Sequence, residues 1–331
     1  MSGLVRLSVL MSVYNGGPYL AAAIDSVLSA GVPGIELVVV DNVSTDGSRE
    51  WLRQRAAAEP RLCLIENETN LGQTGALQRG LEACRGALVA RLDADDLSEP
   101  GRFQAQMSAL EADPALALVG GQAWFIDSHD TVSGKSRLPV GAQDIAVVMT
   151  VANPFIHSAV MFRRDAALAV GGYDRGFAIA QDYALWSALL RAGHRLDNLA
   201  QPVCRLRQHP GQVTASGLRQ REAPEALRIT ALNQAWALGR GDVDLELAAT
   251  IQALWMGGEV PTHAGRTMTA FLKGRGLSPG QRARLYCLLA AGHAKGVAGL
   301  KVRLLLQGIA IAPSVLLSSY PYKAIVRGLR A

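Results

Sequence analysis

The sequence predicts an α/β fold: a doubly wound, mixed but mainly parallel sheet, followed by a helical C-terminal region. Three observations predict it. Short apolar runs alternate with stretches of helical periodicity through the first hundred or so residues, the rhythm of strands joined by crossover helices. Polar residues follow the apolar runs directly, at the strand ends where open α/β sheets bind their ligands. From about Glu222 onward the strand pattern stops and Ala, Leu, Gly and Arg recur. The chain has 331 residues, 49% of them hydrophobic and 18% charged. That is enough for one large core or two modest ones, with too little charge for extended disorder.

In chain order, Leu4–Val13, Ile35–Val40, Leu62–Ile65 and Ala87–Leu92 read as buried strands. Helical stretches lie between them at Tyr19–Ala30, Ser48–Ala58 and Thr74–Cys84. After Pro100 a helix runs to about Glu111, and Leu116–Gly120 and Gln122–Ile126 are further strands. Asn153–Arg163 reads as a strand leading to a turn at Gly171-Gly172-Tyr173. Asp182–Arg191 is an amphipathic helix with Leu185, Leu189 and Leu190 on its apolar face, and Val203–Arg207 is a last strand. A boundary near Ser216 divides residues 1–215 from a helical region at 216–331.

Cys63, Cys84, Cys204 and Cys287 form no Cys-x-x-Cys pair, which argues against a thiolate zinc site or a thioredoxin motif. Scattered cysteines fit a reducing compartment. Leu4–Val13 runs into Tyr14-Asn15-Gly16-Gly17 with no small-residue cleavage site, so it reads as a strand rather than a secretory signal. A cytoplasmic location is expected.

The formal charge of +5 is unevenly spread. Eleven of the 33 basic residues follow Glu259, the last acidic one, leaving 22 against all 28 acidic residues in positions 1–259. Such a tail suits an anionic surface. It lacks interleaved aromatics and any known nucleic-acid module, so nucleic acid is not the expected partner. Leu304–Tyr322 carries no charge and is bracketed by Lys301, Arg303, Lys323 and Arg327. Its length approaches the roughly 20 residues of a span. Pro313, three serines and positive charge at both ends favour attachment at a membrane surface, on the inner face of the cell membrane.

The chemistry-bearing residues sit at strand ends. Asp93, Asp95 and Asp96 follow the fourth strand. Carboxylates two apart project to one side, and such a pair suits Mg²⁺ or Mn²⁺; an acidic turn ahead of a helix would look the same. Asp41, ending the second strand, suits a base or ribose contact, an Asx turn, or both together. Tyr14 suits base stacking or packing. Asp182, at a helix start, His209, in a loop, and His157, within Asn153–Arg163, are explicable as a first-turn carboxylate and ordinary histidines.

The order of these pieces resembles the inverting family 2 glycosyltransferases, which have a GT-A-type fold. The resemblance covers about residues 5–215. It rests on SVLMSVYNGGPYL at Ser8–Leu20, VVVDNVSTDGS at Val38–Ser48, ENETNLGQTGALQRGLEACRG at Glu66–Gly86 and ARLDADDLSEPGRF at Ala90–Phe103. NPFIHSAVMFRR, GGYD, QDYALW and RQHPG follow in order. It implies roles. Asp41 would contact the nucleotide base in a pocket lined by Tyr14 and shaped by Asn70 and Gly72. Asp93 would lie near ribose and metal, Asp95 and His209 would ligate Mn²⁺ or Mg²⁺, and Asp182 would be the catalytic base. The donor would be a nucleoside diphosphate sugar, UDP-linked, and the acceptor a saccharide or lipid-linked saccharide. Where many relatives have Asp-Asp-Gly, this chain has Asp41-Asn42-Val43, which alters the turn. Gly75 and Gln78 replace a common Lys and Asn, and Gln181 replaces the acidic residue before the base. A single-transfer enzyme is favoured, since the Gln-x-x-Arg-Trp signature of processive synthases is missing. One alternative is a non-catalytic nucleotide-sugar sensor. A haloacid-dehalogenase-type phosphatase fits poorly, because its Asp-x-Asp run follows the first strand.

Overall fold

The computed structural model describes residues 4–209, 219–237, 239, 243–256 and 278–290, with the isolated positions 304, 306 and 310. The chain forms two compact units, residues 1–138 with 155–222 and residues 139–154 with 223–331.

The first unit begins as the alternation predicts, with β1 (Leu7–Val13), α1 (Leu20–Leu28), β2 (Ile35–Asp41), α2 (Ser48–Ala58), β3 (Leu62–Glu66), α3 (Gly72–Ala83) and β4 (Leu88–Arg91). β1 pairs in parallel with β2 and β4, and β2 with β3. Every residue of β2 is buried, which is why Ile35–Val40 reads as a continuous apolar run. The elements that follow are β5 (Leu97–Ser98), α4 (Arg102–Ala112), β6 (Leu116–Ile126) and β7 (Val132–Lys135). The sheet order is β3-β2-β1-β4-β8-β6-β9-β5, with β7 hairpinned on β6. β8 (Met161–Arg163) is antiparallel to β4 and β6, while β9 (Arg195–Arg207) runs parallel to β6. The sheet is therefore mixed. Leu7, Val9, Met11, Leu37 and Val39 meet Ile24, Val27, Phe103 and Leu110 in the main core.

Three elements differ from the sequence reading. Leu116–Ile126 is one strand; its register against β9 shifts around Gly121 and Gln122, where glycines break the apolar pattern. The predicted strand Asn153–Arg163 shrinks to Met161–Arg163, preceded by a 3₁₀ turn at His157–Ala159 and followed by α6 (Arg164–Ala169). β9 starts eight residues before the predicted Val203, because its first half pairs with β6 despite polar residues. α7 (Gln181–Arg191) precedes it and buries Leu185, Leu189 and Leu190 as expected.

The second unit contains α5 (Ala142–Val148), α8 (Arg219–Ala237), α9 (Leu245–Met256) and α10 (Pro279–Ala290), α8 beginning within the first unit. Buried Asn233 and Gln234 on α8 donate to the carbonyls of Met149 and Thr150 just past α5, at 2.7 and 2.9 Å. Arg284 of α10 is ion-paired with Asp144 of α5. The segment 139–154 thus belongs with the helices, although it lies inside the region the sequence assigns to the sheet domain. No helix among the described residues is long and apolar enough to cross a membrane. Apart from Leu304, Leu306 and Ala310, the stretch Leu304–Tyr322 lies outside the described residues.

Candidate active site

The ends of β1, β2 and β4 open onto one cavity of about 720 Å³. Tyr14, Asn42, Asn70, Gly72, Asp93, Asp95 and His209 all line it, as do Asn15, Tyr19 and Gln73. Six of the residues picked out from the sequence thus share one wall, at the strand ends where an α/β sheet leaves room for a ligand.

Asp41 is placed elsewhere. It is fully buried and outside the cavity lining. Its carboxylate accepts from Arg49 Nε at 2.6 Å and from the backbone N–H groups of Val43 and Ser44. The Asx-turn role is therefore the one the geometry displays. Asp41 is the last residue of β2, all of whose residues are buried, and Asn42, which follows the strand, lines the cavity. Its Oδ1 accepts from Asn67 Nδ2 and Leu71 N, both at 2.9 Å, and its Nδ2 donates to Asn70 Oδ1 at 2.8 Å. Gly72 N donates to the same Asn70 oxygen at 2.9 Å. Because Leu71 N and Gly72 N can only donate, they fix the orientation of both amides. Val43 takes φ +69°, so the glycine-type turn persists without glycine.

Asp93 is held from two sides. Arg91 pairs with one carboxylate oxygen, and Ser158 Oγ donates to the other at 2.7 Å. Burial alone would raise its pKa, but the Arg91 charge and the Ser158 bond outweigh this and hold the carboxyl below its usual range. Asp96 is buried and accepts from Arg207 N at 2.9 Å. Burial, with the charges of Asp95 and Asp93, pushes its pKa well up. His157 sits behind Asp93, its Nε2 3.0 Å from the Tyr173 hydroxyl and its ring edge-on to Trp186. Burial and the Arg91 charge pull its pKa down to about 3, consistent with a structural histidine.

Asp95 and His209 are 114 positions apart in sequence, yet His209 Nε2 lies 3.1 Å from Asp95 Oδ2. An oxygen and an imidazole nitrogen so close at a cavity wall are a donor pair that Mn²⁺ accepts. Asp93 does not join them in the structure, its oxygens being turned to Arg91 and Ser158. Among the described residues no group of three His, Cys, Asp or Glu forms a ready-made metal cage. The remaining ligands would have to come from substrate and water, as is usual for ions that bind phosphates.

Asp182 lies in the first turn of α7, partly buried, with Oδ1 accepting from Tyr183 N at 2.6 Å. It is outside the cavity lining, although Ala178 and Ile179, just before it, contribute to that lining. The preceding Gln181 is buried and donates to the cavity residue Gln73 at 3.3 Å. Sequence reasoning gave no site role to Arg91, Ser158, Arg207, Tyr19 or Gln73. All five stand inside the quoted motifs, but only their tertiary neighbours mark them.

Comparison with known proteins agrees with this fold. Residues 8–171 match the family model described as glycosyl transferase family 2. The chain is 33% identical over 202 residues to the amylovoran biosynthesis glycosyltransferase AmsE of Erwinia amylovora, covering 60% of this chain and 75% of that one. It is 29% identical over 217 residues to the O-antigen biosynthesis glycosyltransferase WbnJ of Escherichia coli, covering 64% and 83%. Among solved structures, S. aureus TarS 1-349 in complex with UDP-GlcNAc superposes with a TM-score of 0.60 at 14% identity, over 94% of this chain and 90% of that one. The mannosyltransferase PcManGT from Pyrobaculum calidifontis, in complex with GDP-Man and Mn²⁺, gives 0.55 at 22% identity, over 94% and 87%. Those two likenesses speak for a shared GT-A-type fold. By the family model and by its relatives, the chain belongs to glycosyl transferase family 2.

Proposed function

We propose that this glycosyltransferase moves one sugar from a UDP-linked donor to an acceptor hydroxyl with inversion, in the assembly of a cell-surface polysaccharide or glycolipid. The observation that carries the reading is the meeting of Asp95 and His209 on the wall of a cavity that also presents Tyr14, Asn42 and Asn70. The base and ribose occupy the Tyr14–Asn42–Asn70 end, and the diphosphate reaches Asp95. Asp95 and His209 hold Mn²⁺ or Mg²⁺, which when bound supplies positive charge to the leaving diphosphate. Asp93, kept ionised by Arg91, accepts from a ribose hydroxyl. Asp182 takes the proton from the acceptor hydroxyl as its oxygen attacks the anomeric carbon. One displacement without a covalent intermediate inverts the configuration. The acceptor is a saccharide or lipid-linked saccharide, and the basic tail keeps the enzyme peripheral on the inner face of the membrane.

The test is release of UDP from a panel of UDP-sugars by the full chain, with Mn²⁺ and after exhaustive chelation. Slow donor hydrolysis that stops on chelation and returns with Mn²⁺ is expected, and Asp95→Ala should weaken Mn²⁺-dependent UDP binding. Nucleotide binding without turnover of any donor or acceptor would identify a sensor instead, and full turnover after chelation would remove the metal.

A further inference from the structure

We propose that Arg207 and Tyr19 form a positioning pair that sets the geometry of Asp95 and His209 before a divalent cation arrives. The proposal rests on the metal reading above.

Arg207 is the last residue of β9 and is buried. Its backbone N–H donates to Asp96 Oδ1 at 2.9 Å, and its Nε donates to the carbonyl of Asp95 at 2.9 Å. Nη1 donates to the carbonyl of Asp127 at 3.0 Å, and Nη2 lies 2.6 Å from Asp130 Oδ1. The last two partners belong to the β6–β7 turn, which Asp127 closes by accepting from His129 N and Thr131 N. The edge of the guanidinium therefore ties the acidic loop after β4 to a preformed turn. Its face is also used: the central carbon stands 4.3 Å from the centroid of the Tyr19 ring. That ring in turn lies 5.1 Å from the His209 imidazole, tilted by 47°. Tyr19 thus bridges Arg207 and His209, two residues apart on one strand end.

The arrangement asks for a planar cation with donors along its edge and a free face for an aromatic ring. Arginine has that shape and lysine does not, since an ammonium makes three bonds around a point. One guanidinium thereby fixes the main chain of one proposed ligand and, through Tyr19, the ring of the other. Partners behind metal ligands are commonly worth about 10- to 100-fold in metal affinity.

The experiment measures Mn²⁺ binding to the full chain by electron paramagnetic resonance, with and without UDP, for the wild type, Arg207→Lys, Tyr19→Leu and Tyr19→Phe. Circular dichroism checks that each variant is folded. Arg207→Lys and Tyr19→Leu should raise the Mn²⁺ dissociation constant about 10- to 100-fold. Tyr19→Phe, which keeps the ring, should stay within about twofold of the wild type. If Arg207→Lys fails to fold, the two Tyr19 variants decide. Wild-type Mn²⁺ affinity in Tyr19→Leu, or equal losses in Tyr19→Leu and Tyr19→Phe, would overturn the positioning role while leaving the metal site in place. Absence of Mn²⁺ binding by the wild type itself would overturn the metal reading and this proposal together.

Discussion

Asn42 Nδ2 donates to Asn70 Oδ1 at 2.8 Å, joining the end of β2 to the loop that opens α3. The bond exists because position 42 is an amide. Aspartate there would set two acceptors against each other, since Gly72 N already holds the Asn70 oxygen in place. Asn42→Asp should lower stability by about 0.5–1.5 kcal/mol at neutral pH, since a part-buried bond is lost and a carboxylate oxygen then faces the Asn70 oxygen. Urea unfolding checks this, and the deficit should shrink as the introduced carboxyl protonates at acid pH. Equal midpoints at pH 7 would show that the loop re-forms around a carboxylate.

Val43 holds φ +69° in a position that suits glycine. A β-branched residue there costs about 1–2 kcal/mol, of which glycine returns about 0.5–1 through the entropy of the unfolded chain. Val43→Gly should therefore raise stability by about 0.5–1 kcal/mol, read as a higher urea midpoint with an unchanged slope. A lower midpoint would mean that the packing of the valine outweighs its strain.

His157 gives the fold a pH dependence with a defined sign. Its pKa falls from 6.5 to about 3 on folding. Between those values the unfolded chain holds a proton that the folded chain lacks, so stability is full above pH 6.5 and declines as pH falls toward 3. The greatest slope from one such group is about 1.4 kcal/mol per pH unit. His157→Gln should flatten the stability curve between pH 6.5 and 4.5. An unchanged slope would show that other groups carry the acid sensitivity.

Asp182→Asn preserves size and most of the bonding at the start of α7 while removing the proposed base. The variant should fold and bind UDP as the wild type does, and lose transfer by about 10²- to 10⁴-fold. Rates within a few-fold of the wild type, measured with saturating donor and acceptor, would take the base role from Asp182.

The eleven basic residues after Glu259 predict a salt-dependent surface affinity. Each Lys or Arg near an anionic surface is worth about 1 kcal/mol, screened by salt. The full chain should sediment with vesicles rich in phosphatidylglycerol at low ionic strength and remain in the supernatant with phosphatidylcholine vesicles. High salt should release part of the bound protein, the uncharged stretch Leu304–Tyr322 retaining the rest. No sedimentation with anionic vesicles at low salt would assign the tail to packing alone.

Local pattern was enough for the crossover half of the sheet. Leu7–Val13 and Ile35–Asp41 declare themselves as continuous apolar runs because nearly every residue in them is buried, and the helix Ser48–Ala58 declares itself as the crossover that follows. The polar strand ends also mark the cavity wall in the sequence itself, since a parallel sheet puts them all on one edge. Tertiary structure alone decided the rest. The first half of β9 is polar and pairs with β6 through main-chain hydrogen bonds, which leave no signature in side-chain periodicity. Residues 139–154 look like part of the sheet domain by position, but their carbonyls and Asp144 are satisfied by Asn233, Gln234 and Arg284 far along the chain. At the site, adjacent Asp41 and Asn42 are equally polar in sequence, and the partners Arg49 and Asn70 separate buried turn from cavity wall. Asp93 and Asp95 look equivalent too, until Arg91 and Ser158 claim one and His209 meets the other. A side chain's type is written in the sequence, but its ionisation and its direction depend on neighbours that only the folded chain brings within bonding distance.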